Sequence, residues 1–312
     1  MKVLITGGAG LVGRAVLKEW KQSDEIQIIA TDIVPISTLP DHIQFRKMDV
    51  TSPEVECVIA EERPDVILHL ASIVSPPKGM TDRLAYDVDV GGTRRVLEAA
   101  IKYKVQRLVV TSSGAAYGYH ADNSVPLKEE DPIRGNSEFA YAHHKRLVEE
   151  MLAEARSQSP DLQQVILRVG TILGAETDNQ ITALFKKDRL LGLSGYESPF
   201  VFIWTKDLAR ILIRASTDGA CGIFNVAGDG ALGVSDLGRI LGKKIRRVPA
   251  WLVKLGLGIA RPIGLSRYGP EQVRFLQFRP VLDNTKLKEE FGYTPELTSE
   301  QVFVLWKEQA GL

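Results

Sequence analysis

In the first half of the chain, short apolar runs alternate with stretches whose apolar residues recur every three or four positions. The runs KVLIT (2–6), IQIIAT (26–31), IQFRKM (43–48), DVILHL (65–70), RLVVTS (107–112) and QVILRV (164–169) predict six strands. Between them, LVGRAVLKEW (11–20), VGGTRRVLEAAIKY (90–103) and YAHHKRLVEEMLAEA (141–155) carry helical spacing. Val96, Ala99 and Ala100, and then Leu147, Met151, Leu152 and Ala155, form the expected buried stripes. Strands alternating with helices predict βαβ units on a parallel sheet. After Val169 the pattern loosens into FVFIW (200–204), a helix TKDLARILIRA (205–215) and GIFNVAG (222–228), whose strand can return to the main sheet. The last predicted helix is SEQVFVLWKEQAG (299–311).

The glycines between the first strand and first helix sharpen this outline. LITGGAGLVGRAVL contains Gly8-x-Gly10-x-x-Gly13 and also Gly7-x-x-Gly10-x-x-Gly13. Glycine is needed where the backbone turns tightly and comes close to a pyrophosphate, which then rests on free N–H groups at a helix N-terminus, here those of Leu11, Val12 and Gly13. Asp32 ends the second predicted strand, 19 residues beyond Gly13. A carboxylate there accepts hydrogen bonds from the ribose hydroxyls of NAD and repels the 2′-phosphate of NADP, so NAD is the expected cofactor. The predicted fold is therefore α/β, a Rossmann-type doubly wound parallel sheet with a smaller, discontinuous C-terminal substrate domain. Residues 1–168, joined again by 205–228, form the first unit, and 169–204 with 229–312 the second.

Composition narrows the partners. With 44% apolar and 25% charged residues and a formal net charge of +0, the 312-residue chain gives no sign of binding nucleic acid. Cys57 and Cys221 stand alone, without metal-ligand spacing, so no metal site and a reduced, cytoplasmic setting are expected. The opening MKVLITGGAG reaches its glycine turn too soon for a signal-peptide core. WLVKLGLGIARPIGL (251–265) is interrupted by Lys254, Arg261 and Pro262 and reads as an amphipathic surface or lid helix, with no membrane partner expected. The basic run GKKIRRVP (242–249) reads as a solvated face or a local anion contact.

The acid–base chemistry is sought at FAYAHHKRL (139–147). Tyr141 and Lys145 are four residues apart, on one face of a helix. A free phenol, with a pKa of about 10, is a poor acid–base group near neutrality. A nearby ammonium is expected to lower that pKa, as is the charge of oxidised nicotinamide, and the lysine can hold the nicotinamide ribose. Ser113, in TSSGAAYG (111–118), can bond the same substrate oxygen. His143 and His144 lie between tyrosine and lysine with no third ligand at metal spacing and are read as packing or surface residues.

Taken together, the chain resembles the extended short-chain dehydrogenases/reductases of the NAD-dependent epimerase/dehydratase family along nearly its whole length. The resemblance rests on TGGAGLVG (6–13), Asp32, DV (49–50), HLAS (69–72), DVGGTRRVLEAA (89–100), SSGAAYG (112–118), YAHHK (141–145), LRVGTILG (167–174) and GIFNVAG (222–228). It implies Ser113, Tyr141 and Lys145 as the catalytic triad, Gly7, Gly10 and Gly13 at the pyrophosphate and Asp32 at the adenosine ribose. It places Asp49 and Val50 beside the adenine, Leu70, Ala71 and Ser72 on the nicotinamide side, and Val169 and Gly170 near the carboxamide. Asp89 stands where the family usually has asparagine, on the cofactor side, and His144 where it usually has a small residue. A homodimer through paired helices is common in the family.

The resemblance also narrows the reaction. Sugar-nucleotide dehydratases carry an Asp–Glu pair after the serine position, where this chain has Gly114 and Ala115. Inversion beside the ketone needs a further acid–base group, which Ala115 and Ala116 do not offer. Reversible hydride transfer remains: a nucleotide-sugar 4-epimerase first, or a dehydrogenase or reductase of a non-nucleotide ketone or alcohol. A non-catalytic NAD-sensing protein is the third reading, opposed by the intact triad. The small-molecule substrate stays open, because Arg168-Val-Gly-Thr171 and SPFVFIWTKD (198–207) depart from the epimerase pattern. Arg274, Arg279, Lys186 and Lys187 are the cations available for a diphosphate, and Trp204 could stack on a ring or pack in a core. Tyr141→Phe is expected to abolish turnover while NAD still binds, as measured by activity assay beside an NAD titration.

Overall fold

The fold is taken from a computed structural model that describes residues 1–74, 79, 81–263 and 269–312. Strands β1 (Lys2–Thr6), β2 (Gln27–Asp32), β3 (Ile43–Lys47), β4 (Val66–His69), β5 (Arg107–Ser113) and β6 (Gln163–Val169) lie close to their predicted positions. Two short strands, β7 (Thr171–Leu173) and β8 (Arg189–Leu193), precede β9 (Phe202–Trp204), β10 (Gly222–Val226) and β11 (Lys244–Val248). The main sheet runs β10-β6-β5-β4-β1-β2-β3 and all its pairs are parallel. The strand order reverses direction between β1 and β4, which puts the ligand crevice of an open α/β sheet at their C-terminal ends. Strand β10 does return to this sheet, beside β6.

Helices in the first half are α1 (Leu11–Glu19), α2 (Glu54–Glu62), α3 (Asp82–Tyr86), α4 (Thr93–Lys102) and α5 (Ala140–Gln158). Then come α6 (Gln180–Phe185), α7 (Thr205–Ser216), α8 (Val234–Leu241), α9 (Ala250–Ala260), α10 (Gln272–Gln277), α11 (Thr285–Glu289) and α12 (Ser299–Gln309). The period of two along each strand decides the layers. Val3, Ile5, Val109, Val165 and Leu167 face α1 and α7, whereas Leu4, Leu108, Val110 and Ile166 face α2, α4 and α5. Both faces are covered, as a parallel sheet requires.

The later segments build a separate aromatic core from Phe185, Phe200, Phe202, Phe303 and Trp306, with Leu173, Leu190 and Leu237 around them. Trp204 packs against this cluster. The FVFIW segment pairs β9 with β7, away from the main sheet, and the basic run contributes β11, which pairs with β8.

Helix α5 is fastened to the sheet by a buried ion pair. Glu149 (2% exposed) on α5 meets Arg168 (4% exposed) on β6. Arg168 Nε donates to both carboxylate oxygens at 3.1 and 3.0 Å, and Nη2 to Oε2 at 2.7 Å. Its Nη1 donates to Tyr117 Oη at 2.8 Å and to the Glu129 carbonyl at 2.9 Å, and the Ser112 hydroxyl donates to Glu149. Burial opposes the charge on Arg168, but the bonds and charge of Glu149 outweigh it and hold the guanidinium more basic than usual. Glu149→Gln would leave a buried guanidinium without its counter-charge. The expected cost is about 3–5 kcal/mol of stability, read as a lower urea midpoint at unchanged slope.

Candidate active site

The glycine loop has the form its sequence predicts. Gly7 has φ +72, and a Cβ there would sit 2.7 Å from Ala71 N. At Gly13 a Cβ would lie 2.3 Å from Gly7 O, so the helix start and the preceding turn are in backbone contact. Gly10 caps α1 without any side-chain bond, which leaves the first-turn N–H groups of Leu11, Val12 and Gly13 free for an anion. Asp32 closes the loop from β2: Oδ2 accepts from Ala9 N at 3.0 Å and Oδ1 from Val34 N at 3.1 Å. Such a cradle, with a carboxylate beside it and no side chain in the way, fits a dinucleotide.

The other residues expected around the cofactor gather at the same sheet edge. Asp49 caps its own turn, accepting from Thr51 N and Thr51 Oγ1, each at 2.8 Å. Val50 is buried and reaches the Gly92 backbone, where a Cβ would come within 2.9 Å of Val50 Cγ2. Leu70 and Ala71 follow β4 and donate their N–H groups to Thr6 Oγ1 at 3.2 and 3.3 Å. Val169, ending β6, is opposite Ser113, ending β5, and Gly170 N bonds the Val226 carbonyl at 2.9 Å.

Ser113, Tyr141 and Lys145 are brought together. Ser113 is near enough to the Tyr141 phenol to favour its ionised form, and Lys145 Nζ is 5.5 Å from the centre of the Tyr141 ring. Lys145 is 5% exposed, and its Nζ donates to the Thr111 carbonyl at 2.8 Å. Burial lowers the Lys145 pKa, while Asp89 and Glu149 act to keep it charged. The expected acidic tyrosine is not what the protein groups produce by themselves. Burial, aided by Asp89 and Tyr119, raises the Tyr141 pKa above its ordinary value, and only the Ser113 hydroxyl opposes this. The phenol is thus held protonated.

Asp89 and His144, two of the residues that depart from the family pattern, are partners. Asp89 sits in a π-helical turn, Asp87–Gly92, a distortion that often marks functional positions. Its Oδ1 accepts from Ser72 Oγ at 2.9 Å and Ile73 N at 2.7 Å, and its Oδ2 meets His144 Nδ1 at 2.8 Å. The carboxylate therefore ties the loop after β4 to α5, one residue before Lys145. His144 is buried with Tyr86 edge-on at 5.4 Å, whereas His143 is half-buried and bonded to Arg146. A second chain of bonds runs back to the glycine loop: Thr93 Oγ1 donates to the Asp89 carbonyl at 2.6 Å, and His69 joins Thr93 at 3.0 Å and Thr6 at 2.7 Å. Burial, with Lys145 nearby, pushes His69 down to about 3. The signal in the sequence was two unusual residues on adjoining motifs.

Beyond the tyrosine, Tyr119, Phe139, Phe275 and Phe278 form an apolar cluster that Tyr141 joins. Arg279 lies over Phe200 at 3.8 Å and Phe275 at 4.8 Å, bonded through Nη1 to Ser198 O at 2.7 Å and Oγ at 2.8 Å. It has no acidic partner among the described residues, and its Nε is buried without one of any kind. Burial, opposed by Tyr119, presses the guanidinium below its usual range. Arg274 is taken by Glu138 and Lys186 by Asp178. No cluster of three or more His, Cys, Asp or Glu side chains suited to a metal occurs among the described residues.

A family model, the NAD dependent epimerase/dehydratase family, matches residues 3–227. The chain belongs to that family and is an enzyme of the extended short-chain dehydrogenase/reductase type. It is similar to an uncharacterised Mycobacterium tuberculosis protein, 24% identical across 96% of this chain and 82% of that one. A Candida albicans sterol-4-alpha-carboxylate 3-dehydrogenase (decarboxylating) is 26% identical over 96% of this chain and 94% of its own length. Among solved structures, a Thermotoga maritima UDP-glucose 4-epimerase with UDP-glucose superposes with TM-score 0.75 at 22% identity, covering 100% and 99% of the two chains. A Thermus thermophilus UDP-glucose 4-epimerase with NAD gives 0.74 at 23%, covering 99% and 98%.

His144→Ser removes one of three donors to a buried carboxylate that keeps the other two. A stability loss of about 1–3 kcal/mol is expected, seen as a lower melting temperature, with turnover per folded molecule near the parent level.

Proposed function

We propose that this enzyme interconverts a secondary alcohol and its ketone by reversible hydride transfer with NAD, and that its substrate is a nucleotide sugar epimerised at a hydroxyl carbon, as in 4-epimerases. The glycine cradle and Asp32 would hold the dinucleotide, and Ser72, Val169 and Gly170 would flank its nicotinamide end. Bound NAD supplies the hydride acceptor and donor. Tyr141 holds the proton that moves to or from the substrate oxygen, Ser113 bonds that oxygen, and Lys145 carries the positive charge beside them. Because burial keeps Tyr141 protonated, its ionisation requires added positive charge in the site, which the oxidised cofactor carries.

Arg279 carries the choice of substrate. A guanidinium without a carboxylate partner, sandwiched by Phe200 and Phe275 near Tyr119, is a vacant counter-charge at the apolar cluster that Tyr141 joins. A diphosphate would satisfy it by charge-assisted, bidentate bonding. The similarity to UDP-glucose 4-epimerases supports the same reading. A second reading, a dehydrogenase of a less polar alcohol, is favoured by the aromatic walls Tyr119, Phe139, Phe275 and Phe278 and by likeness to the sterol dehydrogenase.

The deciding experiment gives purified enzyme UDP-glucose without added cofactor. Formation of UDP-galactose by protein that retains NAD supports epimerisation; NADH consumed in step with a ketone supports the second reading. Absence of turnover over a broad panel, with NAD bound and a protein partner retained, would leave an NAD sensor. Arg279→Leu is expected to raise KM for the nucleotide sugar by about 10–100-fold, the equivalent of one charge-assisted bond, with NAD affinity unchanged by titration.

A further inference from the structure

The helix α9 is apolar on both its sides. Its half-buried side carries Ala250, Val253, Leu257 and Ala260, while Trp251 (66% exposed), Leu255 (54%) and Ile259 (59%) face solvent together with Leu252 and, just beyond the helix, Ile263. At about 100° per residue the four on the helix fall within an arc of about 100°. A surface helix normally turns such an arc inward, and a contiguous apolar patch of this kind marks an interaction surface.

Charge identifies what the patch meets. Between Asp236 and Glu271 the sequence contains no carboxylate, yet it carries Lys243, Lys244, Arg246, Arg247, Lys254 and Arg261. Arg247 is paired with Glu197 and Arg261 with Glu271, whereas Lys244, Arg246 and Lys254 have no ion pair among the described residues. Strand β11 ends one residue before the Pro249 cap of α9. On it Lys244 is opposite Arg189, and Arg246 opposite Leu191, itself 47% exposed. A cationic strip thus leads directly into the apolar arc, and Lys254 and Arg261 border that arc on the helix.

We infer that the outer face of α9, with the β8–β11 edge beside it, docks on an anionic lipid bilayer. The apolar arc would enter the interface with Trp251 at headgroup depth, and the cations would meet lipid phosphates. Self-association is disfavoured by the same charges, because a two-fold contact over this face would crowd the unpaired Lys244, Arg246 and Lys254 of one copy against those of the other. None of the described helices is long and apolar enough to cross a membrane, so the contact is peripheral. It replaces the expectation of no membrane partner with a reversible one, and it does not depend on which substrate the enzyme takes.

The test is co-sedimentation of the full chain with vesicles of phosphatidylcholine alone and of phosphatidylcholine mixed with phosphatidylglycerol. Binding to the mixed vesicles is expected, weakened by salt. Lys244→Glu and Arg246→Glu should each reduce the partition coefficient about fivefold or more, and Leu255→Glu should abolish binding, all with unchanged melting temperatures. Wild-type protein that stays in the supernatant with both vesicle types overturns the proposal. So does a dimer in size-exclusion chromatography that Leu255→Glu dissociates, which would assign the patch to a second copy. Retention on an acidic protein without any vesicle binding would overturn it equally.

Discussion

The buried pair of Glu149 and Arg168 is the constraint on which the site depends. Glu149 is four residues beyond Lys145 and eight beyond Tyr141, so the three share one side of α5. Fixing Glu149 to β6 therefore fixes how far the helix is rotated when it presents the tyrosine and lysine to the ends of β5 and β6. The pair gains little stability over apolar packing, because desolvation consumes most of its attraction. Its use is directional: a guanidinium bonded at Glu149, Tyr117 and the Glu129 carbonyl tolerates one arrangement of those groups.

A second layer of polar groups completes the alignment. Asp89 links the loop after β4 to the same helix through Ser72, Ile73 and His144. Its negative charge helps to keep Lys145 protonated and makes the Tyr141 phenolate harder to form. Burial works against the charge on Lys145 and Asp89 works for it, while burial and Asp89 together keep the phenol neutral.

Much of this was legible in the sequence for physical reasons. The alternating apolar runs located all six early strands, since a buried parallel strand must be apolar on both faces, and the strand at 222–226 was anticipated from its own short run. The glycine loop could be read because only glycine permits the contacts seen at Gly7 and Gly13. The pairing of Asp89 with His144 could not, because it joins residues 55 apart in sequence. Arg168 reads as a strand residue near a substrate motif, and nothing local reveals that Glu149 occupies it. The strands at 189–193 and 244–248 were missed because half their residues are charged or glycine and they pair only with each other. The upward push of burial on Tyr141 was hidden for a different reason: proximity to lysine was visible in the spacing, but the depth of burial was not.

His69 gives the joint between the two halves of the site a fixed polarity. The Thr93 hydroxyl hydrogen is spent on the Asp89 carbonyl, so the imidazole must carry its own hydrogen on Nε2 and accept from Thr6 at Nδ1. One tautomer alone satisfies every member, and with a pKa near 3 the ring keeps it through mild acid. The unfolded chain, where the same imidazole titrates at about 6.5, gains the proton first. Below that pH, and down to about 3, acid favours the unfolded ensemble at this residue while leaving the native joint unaltered. Acidification would therefore deplete the population of folded molecules before it disorders the joint in any one of them.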